Sequence, residues 1–281
     1  MSAEMSSNEP APTPIIAGEG PVRVSRPEPG IALLTLDAPA RRNALSREMM
    51  SALDGALADV SVDRDIVAVV MAANGPAFSA GHDLKELSAH RTDPDGGRAF
   101  YAETMAACAR LMQGIVRMPK PVIAAVEGVA TAAGCQLVAT CDLAVAAETA
   151  TFATPGVDIG LFCSTPMVAL SRNVPRKRAM EMLLLGERLS ADDAARYGLV
   201  NRVVAPERVS DEALAMARAI AAKSRLTVAI GKEAFYRQIE MPLSEAYEYA
   251  AAVMVENMMA ADAAEGICAF LEKRAPVWTG A

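Results

Sequence analysis

Short hydrophobic runs alternate with longer amphipathic stretches along the first part of the chain. Residues 46–60 and 99–117 carry apolar side chains at helical spacing, and Ser46 is suited to cap the first of these helices. Four apolar runs bounded by Pro, Gly or Asp are typical of buried strands: residues 31–36, 66–71, 121–126 and 143–147. The alternation predicts parallel strands joined by right-handed crossovers, and therefore an α/β core.

The pattern changes to helices alone from about residue 176. One predicted helix is opened by Ser190 and closed by Gly198, and the others cover residues 175–185, 207–223, 226–238 and 242–272. The predicted organisation has three parts: a disordered tail at 1–20, an α/β core at 21–200 and a helical region at 201–281.

Composition excludes several classes of protein. The chain has 281 residues, of which 52% are hydrophobic, so it can bury a large core. Its formal charge is −7 and no run of Lys or Arg stands out, so nucleic acid is excluded as a partner. Charged residues interrupt every apolar run before it reaches the roughly 18 residues of a spanning helix, which predicts a soluble protein.

Cysteine usage and the N-terminal residues bear on the compartment. The five cysteines form no Cys-x-x-Cys pair and have no His nearby in sequence, so no metal site is expected. The first twenty residues lack Arg and an apolar core, unlike a secretory or transit peptide. These observations predict a reduced, cytoplasmic protein.

The first candidate site is Phe78-Ser-Ala-Gly-His-Asp-Leu-Lys-Glu-Leu87, where a strand leads into a charged helical stretch. Gly81 marks a tight bend, at which successive main-chain N–H groups can be left unpaired and directed at one point. By itself the segment is also explained as an ordinary loop between a strand and a helix.

The second candidate site is the segment 126–142, in which a strand leads through small residues into an apolar helix. Small side chains let a ligand approach, and a helix N-terminus adds unpaired N–H groups. Tight packing of a helix on a sheet would explain the same small residues. The two sites together, about fifty residues apart and each ending a strand, are more specific than either alone.

Here the sequence resembles the crotonase family of enoyl-CoA hydratases and isomerases. The resemblance covers about residues 20–280, and its segments are 37–45, 78–87, 121–142, 152–160, 185–201 and 265–274. It implies a crotonase-like spiral of ββα units with a C-terminal helical trimerisation region. The runs at 133–142, 152–157 and 160–166 resemble one branch of the family, and membership of that branch does not by itself imply hydratase activity.

The resemblance also implies a substrate and its contacts. The expected ligand is an acyl-CoA thioester, with no separate cofactor, and its carbonyl oxygen would lie between the main-chain N–H groups of His82 and Ala133. Phe270 and Lys273 would reach the nucleotide end held by a neighbouring subunit of a trimer or hexamer. The coenzyme A path would be lined by Arg41, Arg42, Ala44, Ala80 and Leu84. The Met-rich stretch Tyr247–Met259 fits such an interface, although an intrachain core would look the same.

This chain departs from the family at both glutamates that hydratases use. It has Gln136 and Gly156 at those positions, and neither can pass a proton to or from water. Losing one positioned acid–base group typically lowers a rate by about 10² to 10⁴, so conventional hydration should be weak or lost. Asp158 is a candidate replacement if the segment is extended, and a capping carboxylate is an equally good explanation of it.

Other side chains offer further alternatives. The His82 imidazole could act as an acid or base, and Cys163 or Ser164 as a nucleophile if a base lies nearby. Two hypotheses remain open: an enzyme that stabilises a thioester enolate, such as an isomerase or decarboxylase, and a non-catalytic acyl-CoA binding protein.

Overall fold

The computed structural model describes residues 20–281, so the predicted disordered tail lies outside the described residues except for Gly20. The strands are β1 (Val22–Glu28), β2 (Ile31–Leu36), β3 (Ala68–Ala73), β4 (Ala77–Ser79), β5 (Val122–Val126), β6 (Val129–Thr131), β7 (Leu143–Ala147), β8 (Thr151–Ala153), β9 (Leu189–Ser190) and β10 (Arg202–Val204).

Most helices follow the predicted amphipathic segments, and the helix at 166–173 was not predicted. The helices are α1 (Arg47–Val62), α2 (Leu84–Ala89), α3 (Arg98–Arg117), α4 (Ala133–Thr140), α5 (Pro166–Asn173), α6 (Arg176–Leu185), α7 (Ala191–Arg196), α8 (Val209–Ala221), α9 (Arg225–Gln238), α10 (Leu243–Met259) and α11 (Ala261–Glu272). Short 3-10 helices cover Pro39–Arg41, His90–Thr92, Pro155–Ile159 and Pro206–Arg208.

Two sheets form the core. The larger has the order β1-β2-β3-β5-β7-β10 and is parallel except for the β1–β2 hairpin. The smaller has the order β4-β6-β8-β9 and is parallel except for β9. Strands of the two sheets alternate along the chain, so β3-β4-α2 and β5-β6-α4 are successive ββα units. The predicted spiral and the C-terminal helical region are both confirmed.

Three predictions about elements need correction. The third strand begins at Ala68 rather than at residue 66. The region after residue 176 is not all helical, because β9 and β10 add to the edges of the two sheets. The long helix predicted at 242–272 ends at Met259, since Ala260 is extended with φ −67° and ψ 145°, and a new helix begins at Ala261.

A buried ion pair fastens the helical region to the core. Lys232 of α9 donates to the Asp142 carboxylate at 2.7 Å and to the carbonyls of Ile115 and Lys120. Tyr236, one turn later, donates to the other Asp142 oxygen at 2.9 Å. Because Asp142 lies directly before β7, these contacts fix α9 against the N-terminal end of an internal strand of the large sheet.

Candidate functional site

The two candidate sites lie side by side because β4 and β6 are parallel neighbours, with Ser79 opposite Ala130. Gly81, two residues beyond β4, has φ +82°. A Cβ on Gly81 would lie 2.9 Å from the Thr131 carbonyl oxygen and 3.1 Å from the Ala133 nitrogen. The bend after β4 is therefore pressed directly against the start of α4, and only glycine fits there.

The start of α4 is equally close to β4. Ala132 precedes the helix with φ 50° and ψ −120°, a backbone conformation that residues other than glycine rarely adopt. No side chain caps this helix. A Cβ on Gly134 would lie 2.2 Å from the Ser79 carbonyl oxygen. Every residue of α4 is buried, so the positive end of its dipole lies inside the molecule.

Some main-chain N–H groups at this junction are hydrogen-bonded within the part of the chain that the structure describes, and others are not. Gly81 donates its N–H to Ser79 Oγ at 3.3 Å, and its carbonyl accepts from the Leu45 N–H at 2.7 Å. The N–H groups of His82 and Ala133 donate to no acceptor among the hydrogen bonds of residues 20–281 outside regular helices and strands. Ala133 begins its helix, so it also lacks an intrahelical partner.

The loop at 38–45 lies along the same bend. Ala80 donates its N–H to the Arg42 carbonyl at 3.0 Å, and Leu45 pairs with His82 in an isolated parallel bridge, so residues 42–45 run beside residues 80–82. The Arg41 guanidinium pairs with Asp83, with Nε at 3.1 Å. Burial acts to raise the pKa of Asp83, but hydrogen bonds from Arg41 and from two α2 amides lower it overall. Arg41 is thus held at the site by a carboxylate, while Arg42 and Leu84 are exposed.

Sequence reasoning missed the role of Asn43. Its fully buried side chain accepts from the Ala38 N–H at 2.8 Å and donates to the carbonyls of Asn74 and Ala77 at 2.9 and 2.8 Å. Asn43 also has φ 50°, which among side chains Asn tolerates best. The sequence carries only a weak signal of this role, namely that the residue is Asn, a type that tolerates the left-handed backbone conformation.

The His82 side chain points back to the loop. Its Nδ1 lies 3.3 Å from the Leu45 carbonyl oxygen, and its buried Nε2 has no partner. Burial lowers the pKa of His82. The ring is therefore neutral at pH 7, with Nδ1 protonated and donating to Leu45 and with Nε2 as a free acceptor.

The two positions that lack glutamates lie in different surroundings. Gln136 is buried on α4, with its Oε1 3.9 Å from the Cys108 thiol. Gly156 is buried in the 3-10 helix after β8, and a Cβ there would lie 2.9 Å from both Cys163 Sγ and the Leu161 carbonyl oxygen. Burial raises the pKa of the Cys163 thiol. A neutral thiol therefore fills the space into which a side chain at 156 would extend.

Asp158 and the C-terminal residues lie elsewhere. The segment Pro155–Ile159 is helical rather than extended, so Asp158 does not share a face with Gly156. Asp158 is exposed, and a Cβ on Gly186 would lie 3.2 Å from its carboxylate. Phe270 and Lys273 are exposed at the end of α11, which packs on α9 and α10.

None of the helices within residues 20–281 combines the length and the apolarity that crossing a membrane requires.

The fold and the paired strand-end bends define a crotonase-type protein. A profile described as enoyl-CoA hydratase/isomerase matches residues 26–281, so the chain belongs to this family. A crystal structure of enoyl-CoA hydratase from Mycobacterium smegmatis superposes with a TM-score of 0.88 at 54% identity, covering 92% of this chain and 99% of that one.

The branch indicated by the sequence is confirmed as well. Enoyl-CoA hydratase domain-containing protein 3 from Rattus norvegicus is 48% identical over 91% of this chain and 83% of the relative. The crystal structure of the human protein of that name superposes with a TM-score of 0.86 at 45% identity, covering 92% of this chain and all of that one.

The prediction of a cytoplasmic protein is wrong by the same comparison. The relatives from rat, mouse and human are named as mitochondrial proteins. The reasoning failed because unpaired thiols exclude only oxidising compartments, and the inside of an organelle can also be reducing.

Proposed function

We propose that this protein binds an acyl-CoA thioester and polarises its carbonyl group between the main-chain N–H groups of His82 and Ala133. The observation that carries the proposal is the contact between the two bends, in which the Ala133 nitrogen lies 3.1 Å from a Cβ position on Gly81. Each such donor can contribute about 10² to 10³ in rate by stabilising the enolate oxygen.

Coenzyme A would enter along the loop at 38–45. Arg42 and Leu84 are exposed at the mouth of the site, while Ala44 and Ala80 leave room beside the bend. Arg41 would contribute through its pair with Asp83, which keeps the guanidinium beside the first turn of α2. The thioester is the substrate itself, and the proposal requires no separate cofactor.

The direct test is to measure binding and turnover together. Calorimetry with butyryl-CoA and dodecanoyl-CoA should give micromolar affinity, and crotonyl-CoA, longer enoyl-CoAs and malonyl-type CoAs should be assayed for turnover. Binding with isomerisation or decarboxylation would identify an enzyme, and an Asp158→Asn variant would show whether that exposed carboxylate supplies the proton. Absence of binding by every thioester would refute the proposal.

A non-catalytic acyl-CoA binding protein is the second candidate, and the Cys163 thiol favours it. Hydration needs an acid–base group near position 156, and a neutral thiol fills the adjacent space. Gln136→Glu with Gly156→Glu should therefore restore little hydration of crotonyl-CoA. Adding Cys163→Ala should raise the rate, whereas adding the control Cys268→Ala, which removes an exposed thiol on α11, should not. Equal rates in both triple variants would refute the role of the Cys163 thiol and leave the Leu161 carbonyl oxygen, which lies equally close to a Cβ at 156, as the obstacle.

We also propose that the chain assembles into a trimer, or a hexamer of paired trimers. Two exposed apolar faces support this assembly. One is on α5 and α6: Met167, Val168, Met180, Leu184 and Leu185. The other is on α10 and α11: Met254, Val255, Met258, Met259, Phe270 and Leu271.

The charges that are left outside the ion pairs of residues 20–281 are complementary. On residues 166–188 the exposed basic side chains in none of these ion pairs are Arg176, Lys177 and Arg188, and on residues 239–272 the corresponding acidic ones are Glu245, Glu248 and Glu256. Two different faces that pair head to tail produce a closed ring, and this arrangement would bring Phe270 and Lys273 toward a neighbouring subunit. Sedimentation should show a three-chain or six-chain species.

Charge reversal tests this pairing. Arg176→Glu with Lys177→Glu should dissociate the assembly, because both substitutions place acid against acid. The matched control, Arg110→Glu with Arg117→Glu on exposed positions of α3, should leave it intact. A monomeric wild-type protein would refute the assembly without affecting the proposed ligand.

A further inference from the structure

The side chain of Ser79 lies at the junction of the two bends. Ser79 is the last residue of β4, and it is fully buried. Its Oγ accepts the Gly81 N–H at 3.3 Å, and its carbonyl oxygen is the atom on which Gly134 packs. One residue therefore contacts the bend that carries His82 and the helix turn that begins at Ala133.

The Ser79 hydroxyl has a fixed orientation. Its single hydrogen is donated to the Asn43 carbonyl oxygen at 2.8 Å, so a lone pair of Oγ is left to face the Gly81 N–H. A buried hydroxyl with both roles occupied cannot rotate without leaving a buried polar group unpaired, which is unfavourable.

Asn43 is itself held by three hydrogen bonds. Its side chain bonds to Ala38 in its own loop and to Asn74 and Ala77 in the turn where β3 leads into β4. The acceptor of the Ser79 hydroxyl is therefore rigid.

The relay from Asn43 through Ser79 ends on the Gly81 N–H, and this contact sets the orientation of the Ala80–Gly81 peptide plane. The next plane, which carries the His82 N–H, is held by the Leu45 N–H that donates to the Gly81 carbonyl at 2.7 Å. The Ser79 contact therefore fixes one side of the bend at Gly81, and the Leu45 contact fixes the other.

We propose that Ser79, held by Asn43, is a positioning residue that fixes the Ala80–Gly81 peptide and so holds the bend from which the next amide, the His82 N–H, is directed at the thioester oxygen. The inference rests on the proposed function. It assigns to the Asn43–Ser79 relay the pre-organisation of one of the two donors, so that this donor needs no reorientation when the ligand binds.

The test is the infrared carbonyl frequency of bound butyryl-CoA labelled with ¹³C at the thioester carbonyl. Wild-type protein should lower this frequency relative to free butyryl-CoA. Ser79→Ala should lose roughly half of that shift, because one of two donors is no longer held in position. Ser51→Ala, on an exposed position of α1, is the matched control and should keep the full shift.

The outcomes separate the two proposals. If wild-type protein binds but produces no shift, the carbonyl site itself is refuted. If wild-type protein shifts the band and folded Ser79→Ala shifts it equally, the relay is refuted while the site stands. A merely structural role would lower stability without changing the carbonyl frequency of the bound ligand.

A measurement on the wild-type protein covers the case in which Ser79→Ala does not fold. Amide hydrogen exchange by NMR should show the Gly81 N–H protected in the free protein, and the His82 N–H protected only after butyryl-CoA is added. Equal exchange of the two amides in the free protein would overturn the inference.

Discussion

Substituting Gly134 with alanine tests the contact on which the proposed site depends. The new Cβ would lie 2.2 Å from the Ser79 carbonyl oxygen and 2.8 Å from the Ser79 Cβ. Ordinary carbon–oxygen contacts need about 1 Å more, so either the first turn of α4 or the end of β4 must shift by roughly that distance. The neighbouring Ala133 N–H moves with the turn.

The expected loss of stability follows from overpacking of the core, and the expected loss of affinity follows from the displaced Ala133 N–H. Inserting a methyl group into a well-packed core typically destabilises by about 1 to 3 kcal/mol, and the better helix propensity of alanine offsets up to about 1 kcal/mol of it. The free energy of unfolding should fall by roughly 1 to 2 kcal/mol. A misplaced donor should weaken butyryl-CoA binding by about tenfold, the value of one hydrogen bond of about 1.4 kcal/mol.

Urea unfolding, calorimetry and the infrared carbonyl frequency measure these effects on the same sample. Gly55→Ala is the matched control, because Gly55 lies within α1 and a Cβ there meets nothing within 4 Å. This control should raise the free energy of unfolding by roughly 0.5 to 1 kcal/mol and leave binding unchanged. If Gly134→Ala matches wild type in stability, affinity and carbonyl frequency, the packing argument is refuted.

Three further substitutions test other parts of the structure. Ala132→Gly should raise the free energy of unfolding by about 1 kcal/mol in urea denaturation, because it relieves a strained φ of 50°; a decrease would contradict the strain. Lys232→Met should lower it by about 3 to 5 kcal/mol, because the largely buried Asp142 carboxylate keeps its hydrogen bonds from Tyr236 and Val122 but loses its cation; a loss under 1 kcal/mol would contradict this role. Hydrogen bonds from Ser224 and from residues 279 and 280 outweigh burial and lower the pKa of Asp262 from 3.8 to about 2. The stability that this carboxylate contributes is therefore present above pH 3.8 and lost as the pH falls through about 2. Fluorescence of Trp278, the single tryptophan, should report release of the C-terminal residues in that window, and Asp262→Asn should show release already at pH 7. An unchanged Trp278 spectrum in Asp262→Asn would contradict the anchoring role.

The sequence by itself determined the features that depend on neighbours along the chain. The strands at 31–36 and 143–147 and the helices at 207–223 and 226–238 were predicted within a few residues, because runs and periodicities of that length are local signals. Gly81 was singled out for the same reason, since a bend that requires positive φ is set by one residue. The substitutions at Gln136 and Gly156 were likewise visible directly.

Only the tertiary structure decided the features made by residues far apart in sequence. The strands of the small sheet are too short to carry a periodic signal, and their pairing exists only after the large sheet has brought them together. The three bonds of Asn43, the filling of the space at 156 by Cys163 and the helix break at Ala260 likewise have no local signature. Packing and hydrogen bonding across the fold join residues that are distant in sequence. The sequence shows which residues are available for these contacts, and only the folded structure decides which of them meet.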